Sequence, residues 1–428
     1  MIRAGSKTGE IDRALFSCRR RFLTALGGAL VSCPRGPYTR TMAENTSSQD
    51  FNAGQALVLS GGGARAAYQV GCMRALANGL PQYRPQILTG VSAGAINATH
   101  LAAFHGSWSD SVEALVALWR AMSTEQVYRS GLGPLASRMG HWGLHFVSGG
   151  RLGRKDIRGM VNNKPLRRYL RAHLLADPAS SEVYGVDQNL ADGWLKALAV
   201  VTTNYASGRS EAWVDTLQEH IWSGSQVSAR RASLTIEHIM ASAALPFFFP
   251  AVKLGNQWHG DGGIRLAAPL SPAMRLGAKR ILAVSPRTQA DSGGSELPMG
   301  YPSPGQVAGV MLNAVFLDLL DFDALQMQRV NDLLKRIPQE QWGRQRHVDV
   351  MVLRPREDLG KIARQSQRQM SGAFRFFSGG FGGRDEPTAD ALSMVNFEPG
   401  YIGRLIDSGE QDTRARLPEI EAFLRGSN

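Results

Sequence analysis

The fold is decided by residues 55–66, which read Gln55-Ala-Leu-Val-Leu-Ser-Gly-Gly-Gly-Ala-Arg-Ala66. The first six residues form an apolar run typical of a buried strand, and the three glycines predict a turn. Ala64–Asn78 then carries apolar residues three and four positions apart, which predicts a helix. Ile87–Gly90 predicts a second short strand, and a small, apolar helix is expected over Ala93–Phe104. Two successive strand–turn–helix units predict an α/β fold.

The rest of the 428-residue chain continues this alternation. Strands that alternate with helices predict a largely parallel sheet with helices on both faces. Between them, Ser123–Asp192 is rich in Gly, Arg and loop-forming residues, and we interpret it as a cap or a substrate-facing insertion. The further predicted strands are Leu195–Thr203, Glu211–Val214, Lys279–Ser285 and His347–Leu353, and the further predicted helices are Ser111–Met122, Ile236–Ala244 and most of Val307–Ile337.

A serine follows the second predicted strand within Gly90-Val91-Ser92-Ala93-Gly94. This stretch fits the Gly-x-Ser-x-Gly nucleophile elbow, in which small flanking residues let a strained turn expose the serine hydroxyl. The short pattern is weak alone, but a strand precedes it and a helix of small residues follows. The N–H of Ala93 is then expected where an oxyanion hole needs a donor. Ser92 is therefore the candidate nucleophile.

The glycine turn has three competing interpretations. A dinucleotide site would need a last glycine where Ala66 stands and an acidic residue about 20 positions on, yet no Asp or Glu occurs between Arg65 and Asp110. A nucleotide-triphosphate loop would need Gly-Lys-Ser or Gly-Lys-Thr, which is also missing. The remaining interpretation is that the N–H groups of Gly61, Gly62 and Gly63 stabilise an oxyanion. Arg65 beside them either attracts a substrate phosphate or is solvated at the helix start.

A serine nucleophile needs a base, and the residues alone leave two candidates. An α/β-hydrolase has the order Ser, Asp or Glu, then His, and His347 is the only histidine after Asp261. Asp261, however, stands in His259-Gly260-Asp261-Gly262-Gly263, a turn in which a carboxylate can approach another loop closely. Both candidates stay open at this point.

Three motifs in this order resemble the patatin-like phospholipase family. They are Gly61–Arg65 after a strand, Gly90–Gly94 about 30 residues later, and Asp261-Gly262-Gly263; Ala241–Pro246 with Phe249-Pro250 resembles the segment before the aspartate of that family. The resemblance covers about residues 56–270. It implies a three-layer α/β/α fold with a largely parallel central sheet, a Ser92/Asp261 dyad without a catalytic histidine, and an oxyanion hole at the glycine turn. It also implies calcium-independent hydrolysis of lipid acyl esters, with no cofactor. Ala66 departs from the family's glycine, and its methyl group would crowd the loop if a positive φ were needed.

On this basis the chain is divided into three parts. Residues 1–50 are a leader outside the fold, 51–285 the catalytic domain, and 286–428 a C-terminal segment with helices and at least one strand, packed on the catalytic domain. A rival hypothesis is a lipid-binding protein without activity on a degenerate scaffold of the same family, motivated by Ala66 and the basic charge.

Composition limits the partners. The net charge of +12 favours anionic surfaces, and because no nucleic-acid-recognition motif accompanies it, lipid at a membrane surface is the expected partner. Three cysteines without a Cys-x-x-Cys spacing support neither a disulfide framework nor a zinc site. His141 and His145 are four apart, but Trp142 stands where a zinc hydrolase has Glu, so no metal is assigned. Phe374–Phe377 with Phe381 either dips into a membrane interface or packs on the protein body.

The leader contains signals that would set the location of the protein. Cys18–Thr24 resembles a twin-arginine signal, and Leu30-Val31-Ser32-Cys33 resembles a lipoprotein cleavage site. Both predict the bacterial cell envelope. If translation starts at Met42 instead, the protein is expected in the cytoplasm or peripherally on a membrane. The apolar run Phe22–Cys33 is shorter than the roughly 20 residues that a membrane-spanning helix needs.

Overall fold

The computed structural model describes residues 51–129, 159–174, 176–224, 227–288, 304–316, 318–365 and 393–426, with a few separate positions between 137 and 151. Residues 46–428 form one compact unit. The leader, His145 and the aromatic cluster at 374–381 lie outside the described residues. Within the described ranges, no helix is both long and apolar enough to cross a bilayer.

The described strands form a single sheet in the order β5-β4-β3-β2-β1-β8-β9, with β7 and β6 attached to one end of β3. β3, β2, β1, β8 and β9 are parallel to one another, whereas β4 and β5 run antiparallel to them. The strands are β1 (Gln55–Leu59), β2 (Ile87–Val91), β3 (Ala197–Asn204), β4 (Arg209–Thr216), β5 (Val227–Arg231), β6 (Val252–Leu254), β7 (Gln257–Asp261), β8 (Arg280–Val284) and β9 (Asp349–Leu353).

Helices cover both faces of this sheet. Short 3₁₀ turns at Gly63–Ala66, Gly262–Ile264 and Gln339–Gln341 join some of them to the strands. The helices are α1 (Ala67–Gly79), α2 (Ala93–Ala103), α3 (Trp108–Ala121), α4 (Thr124–Val127), α5 (Lys164–His173), α6 (Val186–Ala191), α7 (Ile236–Ser242), α8 (Ser271–Arg275), α9 (Pro304–Phe316), α10 (Asp318–Leu334), α11 (Leu359–Gln365), α12 (Pro399–Ala415) and α13 (Leu417–Arg425).

The two faces of the sheet carry separate cores, because side chains alternate along a strand. On β1, Leu57 and Leu59 face a core built with α1, α2, α3 and α12. Ala56 and Val58 of the same strand face a second core, which includes residues of α8 and α10. Both faces of β1 are buried, so its sequence is a continuous apolar run rather than an alternating one. The fold is therefore a three-layer α/β/α sandwich with a mostly parallel sheet, as predicted.

Each strand and helix predicted above is present, with ends shifted by a few residues. The antiparallel direction of β4 was not predicted, and neither were β5, β6 and β7. Within the predicted cap, the described residues form α4, α5 and α6.

Part of the predicted C-terminal segment belongs to the same sandwich. β9 pairs with β8 in the sheet. Tyr401, Ile402 and Leu405 of α12 are buried in the core shared with α1, where the Tyr68 hydroxyl donates a 3.1 Å hydrogen bond to Asp412. The division of the chain at residue 285 stays a prediction.

Candidate active site

Ser92 occupies a sharp turn between β2 and α2. Its φ of 55° and ψ of −129° lie outside the regions that non-glycine residues favour. Gly90 and Gly94 make the turn possible by close packing: a side chain at Gly90 would overlap the backbone of Gly94 and Ala95, and one at Gly94 would overlap the Leu59 carbonyl. The predicted elbow geometry is therefore present, and the strain holds the hydroxyl at the carboxyl edge of the sheet.

Asp261 reaches Ser92 through the pairing of β3. In register, Val201 of β3 pairs with Val91, the residue before Ser92, and the next residue, Thr202, pairs with Asp261 at the end of β7. The antiparallel β7 thus continues the sheet where β2 ends. The Ser92 Oγ donates a 2.7 Å hydrogen bond to Asp261 Oδ2. Two residues that are 169 positions apart in sequence are in direct contact.

Asp261 is completely buried, and Ser92 is only 6% exposed. Burial raises the pKa of the Asp261 carboxyl to about 7, because a charged carboxylate is poorly solvated there. Hydrogen bonds from the Ser92 hydroxyl and the Gly263 N–H oppose this shift. A carboxyl group with a pKa near neutrality can both accept and return a proton at physiological pH. The geometry therefore allows Asp261 to act as a base toward Ser92.

The side chain of Ser242, at the end of α7, connects the backbone of Ser92 to that of β3. Its hydroxyl accepts a 2.9 Å hydrogen bond from the Ser92 N–H and donates a 2.6 Å hydrogen bond to the Val201 carbonyl. Gly262 packs against that same carbonyl so closely that a side chain would overlap it. Ser242 is fully buried. The Ser242 hydroxyl therefore gives the buried Ser92 N–H a hydrogen-bond acceptor.

The glycine turn lies beside the nucleophile. A side chain at Gly61 would come within 3.1 Å of Ser92 Cβ, a tight contact, so the lack of a side chain eases this approach. Gly62 and Gly63, together with Ala93, line the same cavity as Ser92, whereas Gly61 does not. Ala66 has a φ of −65°, an ordinary helical value, so its methyl group does not strain the turn. The positive φ at which this methyl group would crowd the loop is therefore absent.

A C-terminal stretch, Ser393–Phe397, covers this turn. The Ala64 N–H donates a 2.7 Å hydrogen bond to the Met394 carbonyl, and Gly63, with a φ of 56°, leaves no room there for a side chain. Met394 also lines the cavity beside Ser92. Residues far outside the predicted catalytic domain therefore complete the site.

Arg65 is placed differently from both expectations. It is 2% exposed, so it is neither solvated nor open to a substrate phosphate. Its Nε donates a 2.6 Å hydrogen bond to the Ser393 hydroxyl. The Arg65 guanidinium therefore fastens the C-terminal stretch to the glycine turn.

A cavity of about 40 Å³ adjoins Ser92. Apart from the turn and the elbow, apolar side chains line it. Trp119 is fixed there by a 2.7 Å hydrogen bond from its indole N–H to Asn97 and by stacking on Phe397. Its apolar lining next to the hydroxyl suits the hydrocarbon of an acyl chain better than a polar group. Other apolar lining residues are Ile96, Met122, Val127, Leu166, Leu245, Phe249 and Val395.

His347 lies at the opposite edge of the sheet. It lies two residues before the start of β9, whereas Ser92 follows the end of the parallel β2. Five strand residues span about 17 Å, so the imidazole is far from the hydroxyl. Its Nδ1 instead lies 3.5 Å from a carboxylate oxygen of Asp349. Among the residues that the structure describes, no group of three or more His, Cys, Asp or Glu side chains is placed to hold a metal ion.

The family model for patatin-like phospholipases matches residues 57–274, about half of the chain. That range includes the glycine turn, the elbow and Asp261. The chain belongs to the patatin-like phospholipase family. The resemblance predicted from the motifs is confirmed.

Three solved structures are similar to this patatin-like chain. Human GIVD cytosolic phospholipase A2 is 13% identical with a TM-score of 0.47, covering 96% of this chain and 64% of that chain. The same human protein in complex with methyl gamma-linolenyl fluorophosphonate is 14% identical with a TM-score of 0.43, covering 96% and 63%. VipD from Legionella pneumophila is 13% identical with a TM-score of 0.33, covering 85% and 67%. The patatin-like chain thus spans less than two thirds of the human protein's length. No curated protein matches the chain.

Two features of the patatin-like site were missed from the sequence. Ser242 was included in the family-like segment, but no role was predicted for it. A serine among small residues before a proline is the available signal, yet its contacts depend on α7 lying beside β3 and Ser92. The Met394–Phe397 stretch carries no signal of its own, because only the tertiary fold brings it to the glycine turn.

Proposed function

We propose that this protein is a lipid acyl hydrolase of the phospholipase A or lysophospholipase type, acting in the breakdown or remodelling of membrane lipids. Ser92 is the nucleophile and Asp261 its base. The observation that carries the proposal is the 2.7 Å hydrogen bond from the Ser92 hydroxyl to the buried Asp261 carboxylate, at a strained elbow beside an apolar cavity. Membership of the patatin-like family supports it.

In the first half of the reaction, the Ser92 Oγ attacks the ester carbonyl carbon while its proton moves to Asp261 Oδ2. The carbonyl oxygen becomes an oxyanion. The N–H groups of Gly62, Gly63 and Ala93, which border the cavity, are the proposed donors that stabilise it. Gly61 acts as a spacer, because its lack of a side chain lets the turn approach Ser92.

The tetrahedral intermediate then collapses. The bond to the leaving alcohol breaks, and Asp261 gives that alcohol its proton, so an acyl ester of Ser92 remains. In the second half, Asp261 takes a proton from a water molecule that attacks the acyl carbonyl. The fatty acid leaves, and the proton returns to the Ser92 oxygen. The same carboxyl group serves both halves, which a pKa of about 7 favours.

The apolar cavity is the proposed site of the acyl chain. Trp119, Leu166 and Phe249 offer it apolar contacts, while the ester group stays next to Ser92 and the glycine turn. No histidine is needed in this scheme, since His347 is at the other edge of the sheet.

The test is hydrolysis of p-nitrophenyl butyrate by the full chain in excess metal chelator, comparing wild type with Ser92→Ala, Asp261→Asn and the control His347→Ala. We expect turnover in wild type and in the control, and a loss of at least about 10³-fold in both dyad variants. An inactive His347→Ala beside an active Asp261→Asn would replace the dyad with a Ser-His-Asp triad. No turnover in any variant, together with lipid binding that Ser92→Ala leaves unchanged, would favour the rival lipid-binding hypothesis.

A further inference from the structure

Two consecutive helices outside the predicted catalytic domain expose an unusual amount of apolar surface. α9 presents Val307, Val310 and Met311 to solvent, and Met311 is 63% exposed. α10 presents Phe322, Leu325 and Leu333, of which Phe322 is 59% exposed. Large exposed apolar patches on a soluble protein mark sites of interaction. We call these six residues the outer apolar face.

The helical spacing places the exposed apolar residues on one side of each helix. Val307, Val310 and Met311 are three and four residues apart, which places them on one side of α9. Phe322, Leu325 and Leu333 are three and eight residues apart and share one side of α10 in the same way. The other side of α10 is buried: Leu320 and Ala324 pack in the core on the face of the sheet that carries Ala56 and Val58. Each helix therefore has one side packed on the protein and one apolar side directed away from it.

α9 adjoins the candidate active site. Its Leu312 and Val315 pack against Met394, the residue that lines the cavity beside Ser92. Ile264, in the 3₁₀ turn directly after Asp261, packs against the same methionine. Whatever binds the outer apolar face is thus separated from the cavity beside Ser92 by α9 and Met394.

The charges around the face are mostly positive. Arg329, Lys335 and Arg336 are exposed on α10 and directly after it. Most of the helix's aspartates are engaged elsewhere. Asp318 and Asp321 pair with Arg287, and Asp321 also pairs with Arg354. Asp323 accepts a hydrogen bond from the Leu270 N–H. Only Asp332 adds an exposed negative charge to α10.

We propose that the outer apolar face docks the protein on an anionic phospholipid bilayer. Apolar side chains flanked by basic ones are the combination that holds an amphipathic helix in a membrane interface. A second copy of this chain fits less well, because a symmetric contact would bring the two sets of basic residues together and the net charge is already +12. The inference rests on the proposed function, since it brings the cavity beside Ser92 to the surface that holds the substrate.

The test is co-sedimentation of the full chain with vesicles of phosphatidylcholine containing phosphatidylserine. Met311→Ser and Phe322→Ser are compared alone and together with the control Leu217→Ser. Leu217 is 68% exposed and follows β4 at the sheet edge opposite Ser92, so it matches the variants in exposure but not in position. We expect the double variant to lower the partition coefficient at least about tenfold, and Leu217→Ser to leave it unchanged. Binding should weaken in high salt and on pure phosphatidylcholine.

Hydrolysis of soluble p-nitrophenyl butyrate is measured on the same samples. Unchanged turnover in the double variant shows that it is folded and that the loss concerns the membrane alone. Vesicle binding equal to wild type in the double variant overturns the proposal, as does equal loss in Leu217→Ser. A change from dimer to monomer with unaltered vesicle binding assigns the face to a second copy and also overturns it. If the soluble ester is not hydrolysed but vesicle binding depends on Met311 and Phe322, the proposed function fails and the docking surface stands.

Discussion

Replacing Asp261 with asparagine should abolish activity and at the same time stabilise the fold at alkaline pH. The carboxyl group is fully buried, and its pKa is raised from 3.8 to about 7, mainly by desolvation. Asparagine has nearly the same shape. Its amide oxygen can accept the hydrogen bond from the Gly263 N–H and its NH₂ group can donate one to the Ser92 hydroxyl, but it carries no charge at any pH. The variant thus removes the free-energy cost of burying a charge while it keeps the packing of the side chain.

The magnitude follows from linkage between protonation and folding. Because the pKa of Asp261 is higher in the folded state than in the unfolded state, its contribution to stability is fully present below about pH 4 and is lost as the pH rises through about 7. A difference of about three pKa units corresponds to about 4 kcal/mol of unfolding free energy. In Asp261→Asn the side chain does not titrate, so this loss of stability with rising pH does not occur. For a protein of this size, about 4 kcal/mol corresponds to roughly 3–6 °C in Tm.

The assay is the Tm of wild type and Asp261→Asn at pH 4 and pH 8, alongside p-nitrophenyl butyrate hydrolysis at pH 8. We expect similar Tm values at pH 4 and a higher Tm for the variant at pH 8, where it is inactive. Ser92→Ala is the matched control, because it removes activity but keeps the carboxylate. Its Tm should fall with rising pH at least as steeply as that of wild type. A variant that is equally or less stable than wild type at pH 8 would show that the buried charge of Asp261 does not destabilise the fold.

Three further predictions follow from the site. Turnover of wild type should rise with pH through an apparent pKa of about 7, because only ionised Asp261 accepts the Ser92 proton; a flat profile of kcat against pH between 5 and 9 would contradict this assignment. Ser242→Ala should lower kcat by about tenfold or more with little change in KM, since it leaves the Ser92 N–H without its acceptor but touches no substrate, and an unaltered kcat would exclude a positioning role. Gly94→Ala should destabilise the protein by at least about 2 kcal/mol, as judged by urea unfolding, because its methyl group overlaps the Leu59 carbonyl; a stability within error of wild type would show that the elbow relaxes.

Local features of this site could be predicted from the sequence. β1, the glycine turn and the elbow at Ser92 each depend on residues within a few positions of one another. A buried apolar strand, a glycine-permitted turn and a helix of small residues have distinct sequence patterns, so all three were identified correctly. The parallel arrangement of β1, β2, β3, β8 and β9 also followed from their alternation with helices.

The long-range features could not be predicted in the same way. The pairing of Thr202 with Asp261 depends on β7 running antiparallel beside the end of β3, and a strand's own residues do not state its direction. The antiparallel direction of β4 could not be predicted for the same reason. The contacts of Arg65 with Ser393 and of Ala64 with Met394 join segments more than 300 residues apart. Arg65 was therefore assigned to solvent or to a phosphate, although it serves to hold the site together.

In the proposed reaction Ser92 becomes acylated. The most direct measurement is mass spectrometry of the full chain after incubation with an alkyl fluorophosphonate, which traps a reactive serine by forming a phosphorus–oxygen bond and releasing fluoride. We predict one adduct, on the peptide that contains Ser92, formed much more slowly in Asp261→Asn and absent in Ser92→Ala. Ester hydrolysis that continues in Ser92→Ala, or an adduct on another residue with Ser92 unmodified, would show that Ser92 is not the nucleophile.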